Sequence, residues 1–151
     1  DAGIELSPIT SGAVVNGDRE TDIPGVFACG NVLHVHDLVD YVSEEAEIAG
    51  RAAAEYLSGK ALIRENIAIF TDGKIRYTVP QRITSKKKVT VYFRVSDVYR
   101  DARIVVKDGE RVIINKKKQK VAPGEMETVV LTEEMLASVV GGTLSFALEL
   151  D

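Results

Sequence analysis

The chain has 151 residues, with 19 Lys or Arg against 23 Asp or Glu and a formal net charge of −4. Apolar residues make up 45% of it and no apolar run approaches membrane-spanning length, which excludes a helical membrane span and an extended disordered chain. One cysteine, Cys29, excludes an internal disulfide framework and a CxxC redox pair, and points to a reducing, cytoplasmic setting.

No secretory leader is evident, and the chain enters mid-pattern at Asp1 rather than at a methionine. The simplest expectation is a piece of a longer polypeptide. Charge divides unevenly along it. Residues 1–65 hold 4 Lys/Arg against 12 Asp/Glu, a balance of −8, and residues 66–151 hold 15 against 11, a balance of +4. Such a shift predicts two units, 1–62 and 63–151.

The first unit opens with a loop, the short apolar run Ala13-Val14-Val15 and a polar turn, "NGDRET". A strand is then predicted over Val26-Phe27-Ala28-Cys29, entered through Pro24-Gly25 and left through Gly30-Asn31. After the loop "NVLHVHDLVDY" comes a helix, "SEEAEIAGRAAAEYLSG". Its apolar positions Val42, Ala46, Ala49, Ala53, Tyr56 and Leu57 follow helical spacing. Ser43 is the expected N-cap and Gly59 the expected left-handed residue past the end. Glu44, Glu45 and Glu47 then fall near the helix start, on a solvent face.

Beyond residue 66 the period becomes two. Val89, Val91, Phe93 and Val95 face one way and Thr90, Tyr92 and Arg94 the other; Leu144, Phe146 and Leu148 repeat the pattern. Asp72-Gly73 and Asp108-Gly109 predict hairpins, "APGE" at 122–125 predicts a turn, and Thr132 predicts a helix cap. About seven short strands in roughly 85 residues suggest a β-sandwich of immunoglobulin-like type, without the Cys and Trp hallmarks of antibody domains.

A strand ending in Gly-Asn before a helix N-terminus suits an elongated, partly anionic ligand, because the backbone lies bare and unpaired N–H groups follow. "TDIPGVFACGN" resembles the second flavin-binding motif of the pyridine-nucleotide-dependent flavoprotein oxidoreductases, through Thr21, Pro24, Gly25, Val26, Phe27, Ala28 and Gly30. The phrase "ACGNVLHVHDLVDYVSEEAEIAGRAAAEY" is similar to the FAD- and NAD(P)-dependent oxidoreductases found beside anaerobic glycerol-3-phosphate dehydrogenases. That resemblance covers residues 1–60. It implies an α+β chain: the end of an α/β FAD-binding domain, then the β-sandwich.

The resemblance further implies FAD as cofactor, NAD(P)H as co-substrate, and a dehydrogenase as partner subunit. It places Gly30 and Asn31 at the ribityl chain, and the N–H groups of Val42, Ser43 and Glu44 at the pyrimidine edge of the flavin. Asn31 departs from the family's Asp, keeping an acceptor but losing the charge. The glycine fingerprint GxGxxG that would hold the pyrophosphate does not occur in these residues, so the chain alone is expected not to retain FAD.

Other readings stand beside this one. The strand, turn and helix could exist without any ligand. Cys29 reads as a small buried residue or a redox thiol. His34 and His36 read as loop residues beside a cofactor or a polar hydrogen-bonding pair, or as metal ligands with Asp37 and Asp40, a poor donor set for structural zinc. "SKKK" at 85–88 and "NKKKQK" at 115–120 read as solvated edge protection; with no interleaved aromatics and a negative total charge they do not predict nucleic-acid binding. In a second functional reading, 66–151 is a binding or assembly module docking a partner subunit, with Tyr92, Tyr99 and the Lys-rich hairpins as contact points. In a third it is an independent sandwich with no flavin connection.

Overall fold

The computed structural model describes residues 2–59 and 65–151. Among the described residues the chain is a mixed α+β fold, mostly strands, in two sheets with no closed barrel. Among the described residues no helix is long and apolar enough to cross a membrane. The expected division at 62/63 lies outside the described residues.

Among the described residues eight strands follow the first helix: β1 (Ile67–Thr71), β2 (Ile75–Val79), β3 (Arg82–Ile83), β4 (Val89–Val95), β5 (Tyr99–Asp108), β6 (Arg111–Val121), β7 (Glu127–Leu131) and β8 (Thr143–Leu150). One sheet has the order β3-β1-β8-β5-β6, with β1 and β8 parallel and the other neighbours antiparallel. The other has the order β2-β4-β7, all antiparallel. Their inner faces share one apolar core. Phe93 of β4 meets Phe146 of β8 edge-on, with ring centroids 6.5 Å apart.

The period-two reading holds on both sheets. Val89, Val91, Phe93 and Val95 are buried, as are Leu144, Phe146 and Leu148. The opposite face of β4 is not open to water as alternation alone implies, for Tyr92 is fully buried. The chain before residue 59 lies across it. Arg19 and Glu44 reach β4 through Thr90 O and the Tyr92 hydroxyl. Ala13, Val15 and Leu33 pack with Val79 of β2 in a small second cluster.

Asp108-Gly109 closes the β5–β6 hairpin, with Asp108 opposite Arg111. Asp72-Gly73 does not make a hairpin: β1 and β2 belong to different sheets, and the turn carries the chain from one to the other. The Asp72 carboxylate fixes that crossover by accepting from Ile75 N at 3.0 Å and Leu148 N at 2.9 Å. The turn at 122–125 is present, with Glu125 N donating to Ala122 O. The short helix α2 (Glu133–Ala137) is capped by Thr132 as predicted, the hydroxyl oxygen accepting from Met135 N at 3.2 Å.

Three expectations for the first unit are corrected. Residues 26–29 form no strand; only Phe27 bridges, to Glu20, because the Pro24-Gly25 turn folds the run back on its own predecessor. The first helix, α1 (Val39–Leu57), begins a turn earlier than Ser43, with Leu38 at the cap. Asp37 sets that start by accepting from Arg94 Nη2 and Met126 N, both at 2.5 Å. Finally, the buried residues of α1 are Glu45 and Ala49, while Leu57 is 84% exposed. Gly59 has φ +72° just past the end, as expected of a left-handed terminator.

Candidate functional site

The expected ligand corner sits at a single 3-10 turn, Gly30–Val32, leading into α1. Gly30 has φ +73°, a conformation that disfavours any side chain. Its N–H is not bare as expected: it donates to Glu45 Oε2 at 2.8 Å. Asn31 is exposed, and its Oδ1 accepts from His36 N at 3.2 Å.

Val42, Ser43 and Glu44 do not open the helix. They occupy its second turn, where N–H groups are taken up by the helical ladder. Val42 lies beside Gly30, so that a methyl group there would sit 3.4 Å from Val42 Cγ1. Ser43 is exposed, and the Glu44 carboxylate accepts from the Tyr92 hydroxyl at 2.8 Å. The free N–H groups belong instead to Val39, Asp40 and Tyr41, behind a Leu38 cap that makes no side-chain hydrogen bond. Around that start, Val32, Val35, Leu38 and Val39 are all more than half exposed.

Behind the corner lies a buried charge cluster, built around Glu45, which the sequence reading placed on a solvent face. Arg19 and Glu45 have fully buried side chains, joined by Nε to Oε1 at 2.9 Å. Arg19 is held in a left-handed conformation, φ 65°. Its remaining guanidinium nitrogens donate to Gly17 O at 3.2 Å and Thr90 O at 3.3 Å, and its planar head lies 5.8 Å from the Tyr92 ring centroid. Glu45 Oε2 accepts from Gly30 N and lies 2.9 Å from His36 Nε2.

Burial pushes the Glu45 carboxyl up. The His34 imidazole, the Arg19 charge, His36 and the Gly30 N–H outweigh that and hold it at about 2. An ionised carboxylate only accepts, so His36 Nε2 donates in that bond. His34 is pushed down by burial, against the pull of Glu45, and is neutral at neutral pH. Its Nδ1 lies 3.3 Å from the Tyr77 hydroxyl. The two imidazoles meet edge to face, 4.4 Å apart.

The carboxylate beside His34 and His36 is Glu45; Asp37, expected with Asp40 in the metal-ligand reading, instead accepts from Arg94 and Met126 N. A signal existed: Glu45 lies three residues after Val42 and four before Ala49, on the inner stripe of the helix. Nothing comparable marks Arg19, which sits in a polar turn. Cys29 is half-buried and free. No family model, curated protein or solved structure matches the chain.

Proposed function

We propose that the chain supplies one wall of an FAD site in an oxidoreductase that passes hydride between a nicotinamide cofactor and an acceptor or partner subunit. The motif around Gly30 and Asn31 suggests the cofactor, and the start of α1 carries the reading. There the unpaired N–H groups of Val39, Asp40 and Tyr41 stand beside four exposed aliphatic side chains and one exposed amide, Asn31. A flat apolar ring that gains negative charge on reduction fits that combination. The flavin, when bound, supplies the hydride chemistry; these residues bind and orient it.

In this reading the contact positions move from Val42, Ser43 and Glu44 to the preceding turn. The two-sheet unit is an immunoglobulin-like sandwich, for its two faces close on one core, and it braces the site through Arg94. That guanidinium holds both Asp37 Oδ1 and Val35 O, on either side of the loop entering α1.

The test is equilibrium titration of the chain with oxidised and then anaerobically reduced FAD, followed by flavin optical signals. Weak binding is expected, too weak to survive gel filtration, because no pyrophosphate-binding glycine loop is present in these residues. Reduced FAD should bind more tightly than oxidised, and Asn31→Ala should weaken both. Equal affinity for the two redox states, or no binding, overturns the proposal.

A further inference from the structure

Two imidazole nitrogens in the buried cluster have no hydrogen-bond partner, His34 Nε2 and His36 Nδ1, on side chains 1% and 0% exposed. Leaving such a group dry and unpaired costs free energy, and His34 Nε2, which stands on the Glu45 side of the cluster, is the one an ion bound there would satisfy. One ligand atom each from His34, His36 and Glu45 lies within 4.8 Å of the others. His34 Nε2 stands 3.7 Å from Glu45 Oε1 and His36 Nε2 stands 2.9 Å from Oε2. Bonds of about 2.1 Å to one ion place neighbouring ligand atoms roughly 3.0 to 3.4 Å apart, which atoms lying within 4.8 Å of one another reach by small side-chain shifts.

We infer that His34, His36 and Glu45 form a site for a divalent transition-metal ion. Two imidazoles and one carboxylate are a donor set for Zn²⁺, Co²⁺ or Fe²⁺ rather than for Ca²⁺ or Mg²⁺. His34 Nδ1 lies 3.3 Å from the Tyr77 hydroxyl; where that nitrogen donates to the hydroxyl, Nε2 is left to bind the ion. His36 exchanges its hydrogen bond for the ion, its Nε2 proton being displaced as the ion binds. Glu45 binds through Oε2 and keeps Arg19 on Oε1. Arg19 opposes the ion by charge, so the site is weaker than a zinc centre without a neighbouring guanidinium.

The test uses the chain freed of metal by chelator and titrated with Co²⁺, whose visible d–d absorption reports imidazole and carboxylate ligation. One Co²⁺ per chain is expected, displaced by one equivalent of Zn²⁺. The double variant His34→Asn, His36→Asn should lose the signal while Cys29→Ser keeps it, and Arg19→Gln should tighten binding on the order of tenfold. The wild-type spectrum decides the matter even where a variant unfolds. No Co²⁺ signal in the wild type, a signal unchanged in the double histidine variant, or one lost with Cys29, overturns the inference.

Discussion

The two halves of this molecule are held together by opposite means. The sheets close over an aliphatic and aromatic core in which Phe93, Ile104, Leu131, Phe146 and Leu148 are wholly out of water. The segment before them has a small apolar cluster and, at its centre, a buried guanidinium, a buried carboxylate and two imidazoles. An apolar core tolerates substitution according to volume, whereas a buried ion pair fails when one partner is removed. The contrast teaches where specificity resides: the sheets carry stability, and the charge cluster fixes the Gly30 turn against α1 and β4.

The sharpest way to break that contrast is to remove charges singly and together. Glu45→Ala leaves Arg19 buried without a counter-charge and should cost about 3–5 kcal/mol in urea unfolding. Arg19→Met with Glu45→Leu should cost less than Glu45→Ala alone, because no charge is stranded. Additive losses would contradict the pairing. Phe146→Ala, in the sheet core, should cost about 3–5 kcal/mol with no such rescue by a second substitution.

Acid should separate the regions next. The Glu45 carboxyl is depressed from 4.5 to about 2 in the folded chain. Its stabilisation is therefore complete above the unfolded value and is lost as pH falls through 4.5 toward 2, roughly 3 kcal/mol in all. His34 acts in the same direction at higher pH: its folded value is lowered, so stability declines as pH falls below about 6.5. Glu45→Gln should flatten the acid limb of a pH–stability curve, and Phe146→Ala should shift the curve without changing its shape. The smallest effect belongs to a local feature of the β unit. Thr132→Ala removes the cap of α2 and should cost about 1 kcal/mol by thermal unfolding.

The same contrast explains what could be read from residues alone. Period-two alternation identified the inward positions of β4 and β8, because burial on a pleated face leaves that trace. Thr132 and the β5–β6 turn were legible for a similarly local reason. Asp72-Gly73 misled because turn chemistry dictates a reversal but not which sheet receives the next strand. Residues 26–29 misled because an apolar run becomes a strand only where neighbours exist to pair with it. Glu44, Glu45 and Glu47 look alike in sequence, yet only Glu45 is buried, and what buries it is Arg19, 26 residues away. Of the candidate site, the motif pointed to Gly30 and Asn31, which lie in the turn before α1, while the helix start was misplaced by one turn because Arg94 and Met126, distant in sequence, hold Asp37 there.

The most direct measurement of the functional account is an ¹⁵N amide spectrum of the chain during titration with FAD. The account predicts shifts confined to the amides of Asn31, Val39, Asp40 and Tyr41 and their neighbours, with the inner strands of both sheets unmoved. Shifts scattered over the Lys-rich strand β6, or a spectrum unchanged at saturating flavin, would contradict it.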